Sequence, residues 1–515
     1  MSKLVISAAL ALAATTMLAG TPALAQKSKD TVRSSSLEPI SIVDRIFNAQ
    51  PSTTLMTSVI QDPLIAYDPV ERQFKPALAK SWKLIDDATI EVELRDDIVF
   101  HDGSKFDADD VVDIVNLVID PAVKFRFKEN RYGFLKGIEK IGPHKVRVMA
   151  KGPTATLVYR LSNNLLMVPG DKLVAQKENF GRNPVGTGPY RVTQVDSTKG
   201  VVMVKYDKFQ LAAPYRPAAK IGRVEIASTP DMQTQTARLM TGEQDLMFNV
   251  NVDQAVELAK NPQFKLFVND VPSFSYIQFD VANRSGINVL KDQRVRQAIS
   301  MAINRQKMKE NLLPKEAADI PMPSGACHPW LIACKYSAKL PDYNPQRAKV
   351  LLREAGLDGG FDINLTAWGA VKDVATAVSG DLRAIGIRAN VDYVTYAVYT
   401  KKRQDGQLQV LISYYDNGGA QPDAEGTINF FYLPSERDYF QDGELHGLAK
   451  QAMSQTDVNQ RSATYQKVFD TTVQKNYLMP LLPVPSIVIH NKDLVIEPNQ
   501  KSPEGFYYNY LRWAN

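Results

Sequence analysis

The chain is poor in the residues that usually announce a chemistry. It holds two cysteines and five histidines in 515 residues. The histidines (His101, His144, His328, His446 and His490) are scattered, so nothing clusters for nickel or another transition metal. Neither the nucleophile pattern G-x-S-x-G nor the zinc pattern H-E-x-x-H occurs, which leaves a hydrolase as a minor reading. No low-complexity tract, internal repeat or Pro/Gly/Ser-rich linker divides the sequence. An excess of one charge is also missing. The formal +5 is mild and spread along the chain, which argues for neither nucleic acid nor a lipid surface.

Long apolar runs are confined to the N-terminus. Lys3, the stretch Leu4 to Leu18 and the end Ala23-Leu24-Ala25 read as a secretory leader with an A-x-A cleavage site. The apolar stretch is shorter than the ~20 residues of a spanning helix, and small polar residues interrupt it. No cysteine stands at the cut to accept a lipid. The expectation is an exported, periplasmic protein beginning at Gln26. The roughly 490 residues that remain are too many for one core, so two or three domains are expected. Cys327 and Cys334 would meet oxidising conditions there, and a disulfide is their simplest state. Closing so short a loop stabilises by roughly 2.5 kcal/mol in the chain-entropy account. The alternative is a metal site of Cys327, His328 and Cys334, which lacks the four ligands of a structural zinc.

The most readable stretch is Asp62 to Pro121. Ile90, Val92 and Leu94 alternate with Thr89, Glu91 and Glu93, the period of a strand with one buried face. Asp96-Asp97 and His101-Asp102-Gly103-Ser104 supply turns. Asp107 can then cap a helix whose first turn carries Asp109 and Asp110, with Val111, Val115, Val118 and Ile119 on one face and Pro121 as the stop. Further on, Asn183-Pro184-Val185-Gly186-Thr187-Gly188-Pro189-Tyr190 reads as a tight turn before a strand. It makes a poor phosphate loop, because no Lys-Ser/Thr and no helix pattern follow. Gly242 should end a short helix. Phe274 to Asp280 alternates like a strand. In the helix begun by Asp292, Val295, Ile299, Ala302 and Ile303 form the buried stripe and the arginines a solvated face. Pro345 should sit at the first position of a helix and Gly356 just past its end. A helix ending at Gly386 passes into a strand from Ile387 to Tyr393. Asp457 to Asn476 is a capped helix, and Pro480 to Ile489 an apolar strand.

In their order, Pro76, Leu78-Ala79, Ser81-Trp82, Leu94-Arg95, Phe100-His101-Asp102-Gly103 and Ala108, Asp110, Val111 resemble the family 5 extracellular solute-binding proteins. These are the dipeptide, oligopeptide and nickel receptors of ATP-driven importers. The G-T-G-P-Y turn, Leu239 to Asp245, the D-x-R-V-R-Q-A helix and Tyr343 to Gly356 continue the resemblance, which covers roughly residues 38 to 513. It implies an α/β fold of two lobes (type II, class C-like) with a hinge and an extra subdomain on the first lobe. On this chain, 26–60, 186–273 and 487–515 would form lobe I, 61–185 the subdomain and 274–486 lobe II. The crossings would fall near Ser273–Phe279 and Leu482–Ile489.

The resemblance also points to a ligand site. Peptide-binding relatives carry a D-N-G-D-P-D segment whose carboxylate pairs with the ligand ammonium. Here Asp416-Asn417 takes that place, with two extra residues before Pro422. A buried ammonium demands such an acceptor, whereas an Asx turn stabilising its own loop is the plainer role for Asp416. Tyr414 and Tyr415 point to opposite faces of a strand, so one should line the cleft and the other the core. Trp368 lines the cleft or fills the core, and Lys372 is a weak candidate for a ligand carboxylate. The function implied is capture of a peptide-like or other amine-bearing solute for a membrane permease. It would be carried out by a monomer, without cofactor, catalysis or nucleic acid. A chelated metal, an opine-like conjugate or an oligosaccharide as cargo, or signalling to a chemoreceptor, are the alternatives. N-terminal sequencing of exported protein should read Gln-Lys-Ser-Lys, and mature material retaining Met1 would refute the leader.

Overall fold

A computed structural model describes residues 30–48, 51–248, 250–416, 422–497 and 506–514. The leader, the Gln26 start and Asn417 lie outside these residues. No helix among those described is long and apolar enough to cross a membrane.

The secondary structure gathers around separate cores. In one, the strands Thr31–Ser36, Arg223–Ser228, Gly200–Lys205 and Tyr190–Asp196 lie side by side, the first pair parallel and the others antiparallel. A three-stranded sheet of Leu246–Phe248, Ser486–Asn491 and Phe264–Asn269 stands beside it. Val488 of that sheet shares the first sheet's core with Val32, Tyr190 and Leu511.

A second core lies under the antiparallel sheet Ala79–Asp86, Thr89–Leu94, Lys145–Ala150, Leu135–Gly142. The period-2 reading holds here, since Ile90, Val92 and Leu94 are fully buried and Thr89, Glu91 and Glu93 are not. The helix Ala108–Ile119 closes this sheet with Val111, Val115 and Val118 buried. Asp107 caps it, accepting the Asp109 N–H at 2.8 Å, while Asp110 accepts the Asp107 N–H at 3.0 Å.

The third body is a five-stranded mixed sheet in the order Arg388–Val394, Asp362–Trp368, Val410–Asp416, Ser273–Phe279, Leu478–Pro483. Ser273–Phe279 is buried along its whole length. Ile277 and Phe279 face a core containing Val295, Leu351 and Val378, and Phe274 and Tyr276 face another containing Phe431, Leu445 and Phe469. With both faces covered, alternation shows in side-chain direction and not in exposure.

Two expectations need correction. Arg296 is not on a solvated face: it is 3 % exposed. Its guanidinium donates to the carbonyls of Leu290, Lys291, Lys475 and Asn476 and lies over the Tyr477 ring. Those carbonyls end a 3-10 turn and a helix, so the arginine supplies donors that the backbone lacks there. Arg294 alone behaves as expected, exposed and paired with Asp292. The apolar run from Pro480 to Ile489 is two strands, Leu478–Pro483 and Ser486–Asn491, in different sheets. Pro483 and Pro485 remove ladder donors and break it.

The G-T-G-P-Y turn is packed against the end of the helix Pro51–Ile60. A Cβ on Gly186 would stand 2.1 Å from the Ile60 carbonyl oxygen, and one on Gly188 2.4 Å from that of Val59, so only glycine fits. Between them Thr187 donates to the fully buried Asp62 at 2.6 Å, and Asp62 also pairs with Arg216. His101 clamps both glycines. Its Nε2–H donates to the Gly188 carbonyl at 2.9 Å, and its Nδ1 accepts the Gly186 N–H at 3.3 Å. Only the neutral ring makes both bonds, and burial pushes its pKa below 6.5. The unfolded chain therefore binds the extra proton first, so the clamp stabilises above about pH 6.5 and is lost as pH falls towards the lower folded value. Denaturant melts between pH 7 and 5 should lose up to about 1.4 kcal/mol per pH unit through this group. His101→Gln should be less stable at pH 7 and less steep in acid; an unchanged slope would remove His101 as its source.

Candidate functional site

Two segments carry the chain between sheets. Asp270–Val271–Pro272 leads from Phe264–Asn269 into Ser273–Phe279, and Val484–Pro485 leads from Leu478–Pro483 into Ser486–Asn491. They run side by side, and the Val484 N–H donates to the Ser273 carbonyl at 3.0 Å. Such a neighbouring pair can serve as a hinge, since few dihedrals need change there.

Asp416 sits at this hinge. It ends the strand Val410–Asp416, pairs in register with Ser273, and accepts from Ser273 Oγ at 3.1 Å. Its side is exposed, so an ordered carboxylate is presented where the sheet meets the crossing. Behind it the two tyrosines part. Tyr415 is 5 % exposed and packs on Phe274, Phe430 and Phe431. Tyr414, half-buried, turns to Trp368, with ring centroids 5.4 Å apart. Burial, and then the Asp416 carboxylate, raises the Tyr414 phenol above its ordinary value.

Trp368 is held rather than loose. Its indole N–H donates to Ser413 Oγ at 3.1 Å, and its other neighbour is Tyr396 at 4.7 Å. Tyr396 is 61 % exposed, so Tyr414, Trp368 and Tyr396 form an aromatic wall running from core to surface. Lys372 is not part of this group. It opens the helix Lys372–Arg383, and its ammonium lies 5.9 Å from the ring of Tyr393, on the edge strand two strands from Asp416.

Cys327 and Cys334 are joined as a disulfide, with Cα atoms 6.0 Å apart. Their sulfurs serve each other, and His328 Nε2 instead faces Asp270 of the crossing at 3.3 Å, beside the Trp330 indole N–H at 3.2 Å from the same carboxylate. No group of three metal-ligating side chains exists among the described residues.

Comparison with known proteins fits this geometry. The model of the bacterial extracellular solute-binding proteins, family 5 (middle), matches residues 73–438. The chain belongs to that family. The family 5 chain is 26% identical over 447 residues to the glutathione-binding protein GsiB of Escherichia coli K12, covering 82% of this chain and 83% of that protein. Its fold matches NikA from Brucella suis, solved with Fe(III)-EDTA, at a TM-score of 0.80 and 20% identity, over 94% and 99% of the two chains. DppA from Helicobacter pylori, solved with the peptide STSA, matches at 0.71 and 20% identity over 94% and 98%. These likenesses establish the two-lobed fold of periplasmic binding proteins.

Sequence reasoning singled out the Asp416 segment of this family 5 protein as a candidate, and the expected divergence of its two tyrosines appears in the structure. It missed Ser273 and Tyr396. Cross-strand register reveals the first, and the second is one tyrosine at a helix start with no pattern around it. Removing each strand tyrosine should separate their roles. Tyr415→Ala should cost about 3–5 kcal/mol in unfolding free energy, and Tyr414→Ala roughly 1 kcal/mol. Equal losses in denaturant titrations would contradict the assignment of opposite faces.

Proposed function

We propose that this protein is the exported, periplasmic solute receptor of an ATP-driven importer, and that its cargo is a small peptide-like solute bearing a free amine. The observation that carries the reading is Asp416, an ordered and exposed carboxylate at the hinge, flanked by the Tyr414–Trp368–Tyr396 wall. Closure would exclude water around an ammonium bound there and strengthen its attraction to the carboxylate. The aromatic wall would cover the apolar part of the solute, Asn417 would add a polar contact, and Tyr415 would brace the strand from behind. Lys372 remains the outermost candidate for a ligand carboxylate. Glutathione, named in the E. coli relative, is itself a peptide with a free amine. In this reading 26–60, 186–273 and 487–515 form lobe I, 61–185 its subdomain and 274–486 lobe II. The monomer closes on its solute, delivers it to the permease at the inner membrane and performs no catalysis.

Calorimetry against reduced glutathione, dipeptides and tetrapeptides should find reversible binding without turnover. Asp416→Asn keeps the shape and removes the charge, so affinity for the bound member should fall by about 2–5 kcal/mol. Its melting temperature should hold, because asparagine can still accept from Ser273. Affinity within a few-fold of wild type, on an intact fold, would remove Asp416 from the site. Tight binding of neutral sugars alone would overturn the solute class.

A further inference from the structure

We propose that Thr156, Arg160 and Glu425 form a clasp that sets solute affinity without touching the solute. The proposal rests on reading the molecule as bodies that close around a ligand. Thr156 and Arg160 belong to the start of the helix Leu157–Asn164, whose Leu157 and Leu161 enter the core under the four-stranded antiparallel sheet. Glu425 opens the helix Glu425–Phe431, whose Ile428 and Phe431 enter a core of the five-stranded sheet. The Glu425 carboxylate spans these bodies, accepting from Thr156 Oγ1 and from Arg160 Nη2, each at 2.6 Å. The pair is nearly out of water, with the Arg160 side chain 15% and that of Glu425 7% exposed.

Each half is assembled within its own body. Arg160 Nε donates to Thr156 Oγ1 at 3.1 Å, and its guanidinium lies 5.0 Å over the Phe134 ring. On the other side, Asp423 accepts the Glu425 N–H at 2.9 Å and is fixed by Arg461 at 2.6 Å. The disulfide-closed loop buttresses this segment: the Ala424 N–H donates to the Ile332 carbonyl at 2.9 Å, and the Ile332 N–H to that of Pro422 at 2.5 Å. The same loop takes a second contact, since Arg72 donates to the carbonyls of Pro329 and Leu331 at 3.3 and 3.4 Å.

Halves already ordered lose little entropy when they meet. On opening, both charges rehydrate, so the clasp acts on the open–closed balance and not on whether the lobes fold. A solute that needs the closed form binds with an affinity scaled by the closed fraction. Arg160 and Glu425 are positioning residues in this sense.

The test is read without solute, so it stands even if the amine-bearing cargo is wrong. Spin labels at Lys136→Cys and Lys450→Cys, both exposed and on opposite sides of the contact, report the separation of the two bodies. The ratio of long to short distances in the solute-free protein should rise about 5- to 150-fold in Arg160→Leu, the span of ordinary coupling free energies. Glu425→Gln should shift the ratio in the same direction. The double variant should open no further than the larger single change, and melting temperatures should stay near wild type. Thr156→Val, which deletes one hydroxyl donor, serves if Arg160→Leu does not fold. Unchanged distances in folded variants, or additive opening in the double variant, would overturn the clasp.

Discussion

Ser273 is the residue at which the rest of this architecture has to agree. Its carbonyl binds the returning segment at Val484, its hydroxyl binds Asp416, and its strand lies between the central strand Val410–Asp416 and the edge strand Leu478–Pro483 of the five-stranded sheet. One residue on, Phe274 pairs with both Tyr415 and Pro483. A one-residue slip would exchange the faces of Tyr414 and Tyr415 and move Asp416 off the hinge. Register here is therefore a packing constraint and, in the proposed reading, a functional one. The burial of alternate residues in two separate cores makes a slip costly.

Around this centre, irregular backbone is held by buried polar side chains more than by additional secondary structure. Asp62 joins Thr187 and Arg216 beneath a turn whose glycines touch the preceding helix. Arg296 donates to four carbonyls at the ends of two elements. Buried carbonyls without a partner are costly, and one planar guanidinium serves several at once. Such groups are destabilising when half-satisfied, which ties these junctions to a single geometry.

What the sequence made legible follows from the range of the interactions involved. The capping box at Asp107, the strand Thr89–Leu94, Pro345 at a helix start and the left-handed Gly242 and Gly356 rest on neighbours a few residues away, and all appear as expected. The same holds for the opposite faces of Tyr414 and Tyr415. Arg296 was misjudged because its partners at Lys475 and Asn476 lie some 180 positions along the chain. Periodicity alone cannot distinguish a solvated arginine from one that caps a distant helix. The break at Val484–Pro485 was written in two prolines, but the surrounding apolar residues read as one strand because both halves are buried. Of the candidate site, the Asp416 strand was legible, while Ser273, Tyr396 and the placement of Lys372 depend on pairing between strands.

The ends of the described chain meet. Thr31–Ser36 lies parallel to Arg223–Ser228, Ser34 Oγ is 3.0 Å from the Tyr508 hydroxyl, and the Trp513 indole N–H donates to the Thr31 carbonyl at 3.2 Å. A chain that emerges N-terminus first must therefore hold its first strand unpaired until about two hundred residues have followed, and incomplete until the last few arrive. Closing loops of that length is slow, so this sheet is completed late, whereas the antiparallel sheet between Ala79 and Ala150 pairs strands that are close in sequence. The topology thus delays completion of this sheet until the last residues are made, a timing built into strand order.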